Sequence, residues 1–144
     1  MSATHVKTPV WYWILAIIGL LWFAMGAFDY TATQYRLDFY MASFSEEQLA
    51  YFYGFPAWYV ATWALSVWTS FIGAVLFILR MKLAATAFLV SLVTYIVAAI
   101  YSFGFTEAIA MMGMGGVIFS AVIFLSILGY FWLARSASSN GILK

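Results

Sequence analysis

The charged residues of this chain mark off four long uncharged stretches. Residues 8–28, 48–79, 83–106 and 108–134 hold no Asp, Glu, Lys or Arg, in runs of 21, 32, 24 and 27 residues. An α-helix rises about 1.5 Å per residue, so about 20 apolar residues cross a hydrocarbon core of roughly 30 Å. Each run therefore predicts one membrane span. The longest could hold two only with a sharp internal turn, and Pro56 instead marks a helix start within it. The predicted spans lie near 10–30, 57–79, 83–103 and 108–134, with an outer loop at 31–56 and tails at 1–9 and 135–144. They must be helices, because unpaired backbone groups in hydrocarbon cost several kcal/mol each and there are too few strands for a closed barrel. The expected fold is all-α: a single domain, an integral membrane antiparallel four-helix bundle.

The first run could be mistaken for a secretion signal. A cut after Ala27 would place Met25 at the third position back, where a small residue is wanted. The run reads instead as a retained span.

Composition agrees with the pattern. The chain of 144 residues is 67% hydrophobic, 22% aromatic and 8% charged, with mean hydropathy +1.00. Soluble domains carry about 25% charged residues, so there is too little polar surface here to coat a water-borne globule. Charge also gives an orientation. In a four-span topology Lys7, Arg80, Lys82, Arg135 and Lys144 fall on one side with no acid among them. Asp29, Asp38, Glu46, Glu47 and Glu107 fall on the other, with Arg36 alone. Basic residues in short loops mark the cytoplasmic face. Both termini are therefore expected in the cytoplasm, and the protein in a bacterial inner membrane. Net charge of +1 leaves no basic patch for nucleic acid.

The loops are unequal. Arg80-Met81-Lys82 predicts a tight hairpin between spans two and three, and the link at Gly104–Glu107 is as short. The first loop holds most of the extramembrane mass. Within it Ser45-Glu46-Glu47-Gln48 fits a capping box, predicting a short amphipathic helix from 46 to 53 that Gly54 and Pro56 end. Tyr35, Phe39, Tyr40, Tyr51 and Tyr53 make this loop a candidate surface for lipid or a partner, since aromatic rings favour the headgroup zone. The segment from Ser136 to Lys144 reads as a short polar tail.

Lipid tails are as apolar as leucine, so small residues and interhelical hydrogen bonds, rather than leucine burial, mark helix contacts. Thr62, Ser66, Ser70 and Gly73 share one face of span two. Ala84, Ala87, Ser91, Thr94 and Ala98 share one of span three. Gly113, Gly116 and Ser120 serve span four, and Gly19 and Gly26 span one. Trp22 and Trp68 sit near mid-span, where an indole N–H needs a partner. Ser66, Ser70, Ser91 and Thr94 are the candidates, either as packing groups or as the lining of a small pocket.

Few reactions survive inspection. Without cysteine there is no disulfide, thiol relay, zinc-thiolate site or iron–sulfur cluster. The single histidine, His5, lies in the N-terminal tail, so no span carries a haem ligand, and no span carries a lysine for a Schiff base. Intramembrane acids usually mark ion or proton coupling. The nearest are Asp29 and Glu107, both at the outer ends of spans. Asp29 could cap a helix, pair with Arg36 or line an outer vestibule, and Glu107 suits the start of span four, where the helix dipole favours an anion. Met111, Met112 and Met114 are soft potential copper ligands, but with Gly113, Gly115 and Gly116 beside them they read better as a soft or closely packed start to span four. No catalytic set, metal site or cofactor is expected.

Several short pieces carry a resemblance. Trp11-Tyr12-Trp13, Leu21-Trp22, Met25-Gly26, Asp29-Tyr30, Phe55-Pro56 with Trp58, Gly73, Leu79-Arg80, Ala87-Phe88 and Ser91-Leu92 resemble a family of small, uncharacterised bacterial four-span membrane proteins that often carry the label "sugar transporter". The likeness covers about residues 11–135. Many members have a polar residue after the first-span tryptophan, where this chain has Phe23. The resemblance implies the four-span fold and no particular reaction. Sugar recognition wants convergent hydrogen-bonding groups, and the spans offer no Asn or Gln.

The expected function is non-enzymatic: an accessory or structural subunit that associates with a larger membrane complex or with itself. An oligomeric small-solute transporter or channel is the alternative. Binding of lipid or a hydrophobic ligand under the aromatic loop is a third.

Overall fold

The computed structural model describes residues 7–144; the tail position of His5 lies outside them. Among the described residues there are six α-helices: α1 Val10–Gln34, α2 Asp38–Met41, α3 Glu46–Tyr53, α4 Ala57–Ile78, α5 Leu83–Phe105 and α6 Ala108–Ser139. Four of them, α1, α4, α5 and α6, are long and apolar enough to cross a bilayer, and they form an antiparallel bundle. Proline opens two of these: Pro9 and Pro56 are the residues before α1 and α4, where a missing N–H costs nothing. In α3 the capping box forms as expected, with Ser45 Oγ accepting from the Gln48 N–H and Gln48 Oε1 from the Ser45 N–H, and Gly54 ends the helix.

The most extensive contact is between α4 and α5, followed by α1 with α4 and α5 with α6. Small residues explain the first. Ser66, Ser70 and Gly73 on α4 and Ala84, Ser91 and Ala98 on α5 are all buried. A methyl group at Gly73 would lie 3.1 Å from the Phe88 ring, so the glycine makes room for that ring. In contrast, α1 and α6 meet through side chains. Tyr130 reaches across so closely that a methyl on Gly19 would sit 2.6 Å from its ring.

Hydrogen bonds join the four long helices in a closed circuit. Tyr12 on α1 donates to the Phe77 carbonyl of α4. Ser66 and Ser91 donate to each other's carbonyls across α4 and α5, at 3.3 and 2.7 Å. Tyr95 on α5 donates to the Ser120 carbonyl of α6 at 2.7 Å, and Tyr130 on α6 returns to the Leu15 carbonyl of α1 at 2.7 Å. Below Trp22 the interior is aromatic: Phe23, Phe77, Phe88 and Tyr130 lie with ring centroids 5.4–6.1 Å apart.

Four features differ from the sequence expectation. Helices α1 and α6 run longer than expected, to Gln34 beyond residue 30 and to Ser139 beyond residue 134, so the first part of the expected tail is helical. The outer loop contains the one-turn helix α2. Helix α6 is broken at Gly113, whose φ of 69° and ψ of −179° lie where only glycine rests without strain. The segment after α6 is not a loose tail. Ile142 and Leu143 are buried; Lys144 is bonded through its N–H to the Arg80 carbonyl and through its carbonyl to the Lys82 N–H, at 2.8 and 2.9 Å. Arg80 Nε adds a 3.1 Å bond to the Ile142 carbonyl. Two apolar side chains in a polar stretch were enough to pin it over the α4–α5 turn.

Helices α1, α4 and α6 end alike. In each, an N–H bonds back six residues' span, from Leu37 to Ala32, Met81 to Leu76 and Ile142 to Ala137. The left-handed residue such an ending requires is Gly141 in α6 but Arg36 and Arg80 in the other two, with φ of 53° and 62°. A cation suits the negative end of a helix dipole, which offsets part of the strain.

Candidate functional site

The candidate site lies at the end of the bundle that carries α2 and α3. A cavity of about 380 Å³ lies there among α1, α2, α4, α5 and α6. Ligand sites commonly occupy 300–1,000 Å³. Its aromatic wall comes from Trp22 and Phe28 on α1, Tyr40 on α2, Trp63 on α4 and Phe119 on α6. A second cavity of about 230 Å³ under α3 shares Asp29, Trp63, Ser66, Tyr95, Phe119 and Ile123 with the first. The two adjoin along these six residues and are called the lobes of the chamber. Its lining goes no deeper than Phe23, Ser70 and Ile127, and the aromatic interior closes it beneath.

Helical spacing puts these groups together. Trp63, Ser66 and Ser70 follow one face of α4, and Trp22, Gly26 and Asp29 one face of α1. Gly26 leaves the wall open: a methyl group placed there would meet nothing within 4 Å. Beside it Met25 and Phe28 are exposed, so the chamber's mouth lies on the outward-facing side of α1.

Asp29 is the one carboxylate on the lining of either lobe. It is half-buried, and its Oδ1 accepts a hydrogen bond from the Tyr40 hydroxyl. Burial, and then the neighbouring Asp29 carboxylate, push the Tyr40 phenol well above its ordinary range, so Tyr40 stays a donor. Arg36 does not pair with Asp29. Its guanidinium lies over the Tyr53 ring, 4.0 Å from the centroid. Among the described residues Ser138 Oγ is the only buried side-chain polar atom without a partner. Asp29 Oδ2 has no hydrogen-bond partner among the described residues and is therefore not fully buried, and Asp29 lines both lobes.

The hydroxyls on the wall of the larger lobe are already committed as donors. Ser66 donates to the Ser91 carbonyl, Ser70 to the Val67 carbonyl at 2.9 Å, Tyr95 to the Ser120 carbonyl and Tyr40 to Asp29. Toward the cavity they can offer only lone pairs.

The candidates from sequence divide accordingly. Asp29, Trp22, Ser66, Ser70 and Tyr40 line the larger lobe, and Tyr51 lines the smaller. Trp68 faces outward against Phe71, and Ser91 and Thr94 lie off the chamber. Neither Trp22 nor Trp68 bonds the four hydroxyls proposed for it. Those hydroxyls go to backbone carbonyls within or between helices, Thr94 to Val90 for example at 2.8 Å. Glu107 stands exposed before α6, as its place in the sequence suggested, and away from the chamber. Tyr35 and Phe39 are exposed, and Tyr53 carries Arg36. Sequence reasoning missed Trp63, Tyr95 and Phe119. Tyr95 could have been found, because Ser91, Tyr95, Ala98 and Ser102 repeat at helical spacing as one polar stripe on α5.

Over the chamber, α3 is fastened at two points. Tyr51 Oη and Thr106 Oγ1 share a 2.7 Å bond, and Gln48 Nε2 donates to the Met111 carbonyl at 3.0 Å. Comparison with protein-family models, curated proteins and solved structures gives no match. The functional reading therefore rests on this geometry.

Proposed function

We propose that the protein is a non-enzymatic membrane protein that holds a small lipophilic molecule in the chamber between its helices. The observation that carries this reading is the blind cavity of about 380 Å³, walled by aromatic rings and roofed by tethered short helices. Its closed floor favours binding over conduction. The basic residues at the ends of the long helices support an inner-membrane placement with both termini cytoplasmic, which puts the chamber in the outer leaflet.

Titration with N-phenyl-1-naphthylamine, a neutral apolar fluorophore, tests the reading. Wild-type protein in nanodiscs is expected to show a saturable component above lipid partitioning, and Gly26→Leu, which fills the open side of the wall, is expected to lose it. Equal signals from the two proteins would overturn the chamber as a binding site.

A second reading, association with other membrane subunits or with itself, draws on α6. Only 11% of its most apolar stretch is buried, against 28% in each of the other three long helices. Native mass spectrometry from nanodiscs tests this; a lone monomer throughout would remove it.

A further inference from the structure

The chamber reading above leaves the ligand's chemistry open, and the wall itself narrows it. Resting on that reading, we infer that the chamber selects lipophilic cations, compounds with an ammonium or other cationic centre on an apolar body, with the positive charge beside Asp29.

Three observations converge. First, Asp29 is the one charged side chain on the lining of either lobe, and no lysine or arginine lines them. Among the described residues its carboxylate has one hydrogen-bond partner, neutral Tyr40, and its Oδ2 is unbonded and not fully buried. A carboxylate withdrawn from water without a counter-charge is costly, and a ligand that supplies the charge recovers that cost. Second, the wall beside Asp29 is aromatic. Phe28 and Tyr40 make a T-shaped pair at 5.6 Å and Tyr30 and Trp63 another at 4.9 Å, and Trp63 lines both lobes. Ring faces attract organic cations, tryptophan most strongly. Third, the hydroxyls of the larger lobe have all spent their protons on protein acceptors. A neutral polyol or an anion would find donors there only in the indole N–H groups of Trp22 and Trp63, with lone pairs elsewhere. A cation meets lone pairs and a carboxylate.

The same observations argue against a sugar. A polyhydroxylated ligand needs many donors and acceptors together, and these hydroxyls offer acceptors alone, leaving the larger lobe only the Trp22 and Trp63 indoles as donors.

Tetraphenylphosphonium and tetraphenylborate test the inference, being alike in size and shape and opposite in charge. Binding to wild-type protein in nanodiscs is measured by equilibrium dialysis, with Gly26→Leu as the baseline for lipid partitioning. The phosphonium is expected to bind at least ten-fold more tightly than the borate above that baseline. In Asp29→Asn the preference should collapse to less than three-fold. Equal specific binding of the two ions to wild type, or a preference unchanged in Asp29→Asn, overturns cation selection. If the naphthylamine still binds in the Gly26-dependent way, the chamber reading survives that result; if nothing binds above baseline, both fall. The wild-type comparison of the two ions stands without any Asp29 variant, so a poorly folded Asp29→Asn does not rescue the proposal.

Discussion

Tyr130 donates its hydroxyl to the carbonyl of Leu15, 2.7 Å away and 115 positions earlier in the chain. This bond joins the last long helix to the first. In lipid, burying leucine against leucine gains little over leaving it in acyl chains, so such contacts and close packing hold helices together. The outward faces are apolar: Ile14, Ile17, Ile18 and Leu21 on α1 and Ile118, Val122 and Leu125 on α6 are all exposed.

Removing the hydroxyl in Tyr130→Phe should lower stability by about 0.6 kcal/mol, the typical size of an interhelical bond in membranes. Gly19→Ala should cost more, about 1–3 kcal/mol, because its methyl overlaps a ring held on several sides. In a Tyr130→Leu background that penalty should shrink. Unfolding by SDS in mixed micelles measures all three. A Gly19→Ala cost unaffected by residue 130 would show the contact to be unimportant.

Gly113 and Gly129 make a controlled pair. Gly113 has a backbone that other residues adopt at a cost of roughly 1–3 kcal/mol. Gly129 is helical, and a methyl group there would meet nothing within 4 Å. Gly113→Ala should destabilise. Gly129→Ala should be neutral or stabilise by up to about 1 kcal/mol, from helix propensity. Thermal melts in detergent separate the two.

Gln48 is used at both ends of its amide. Its oxygen serves the capping box and its nitrogen serves the Met111 carbonyl, two residues before the break in α6. In an unbroken helix the amide four residues on would satisfy that carbonyl. Gln48→Glu keeps an acceptor for the Ser45 N–H and loses the donor. Hydrogen exchange should then quicken around residues 111–114 while α3 keeps its protection. Gln48→Ala should quicken both.

Leu143 is 1% exposed. Leu143→Ala should therefore cost about 2–5 kcal/mol, as for a core leucine, where a free tail would show no change. Arg80→Lys retains the charge and loses the Nε donor to Ile142. It should speed exchange at the Leu143 and Lys144 amides without altering the rest of α6.

The Tyr40 phenol is held above its ordinary range. A group whose folded value is raised stabilises fully below its unfolded value, near pH 10, and loses that contribution as pH climbs through the folded one. The stability difference between wild type and Tyr40→Phe should stay flat from pH 6 to 9 and shrink above about pH 10. Absorbance at 295 nm should show one late tyrosine ionisation in the wild type that the variant lacks.

The architecture was legible because lipid imposes a simple grammar. Charges could sit only at span ends, so gaps between them located four helices. Ser45 and Gln48 announced α3, since a capping box is local chemistry. Local rules had less to say about the remainder. Leu37 and Asp38 begin a turn that carries no strong cap, so α2 went unseen. Ile142 and Leu143 are too few to form a periodic pattern, and their burial depends on the distant turn at Arg80. The chamber was half legible. Asp29 and Trp22 were visible as unusual residues at their depths, and Ser66 and Ser70 as a polar stripe. Trp63 and Phe119 look like ordinary span aromatics until the helices are assembled around them.

The exchange between Ser66 and Ser91 sets a constraint on motion. Each hydroxyl finds its acceptor only at one axial offset of α4 against α5, and sliding by a single turn, about 5.4 Å, would strand both in hydrocarbon. The central hairpin is thus a fixed keel. Any breathing that admits a guest to the interior falls to the outer pair, where α1 leans on α6 through a tyrosine rather than through its backbone.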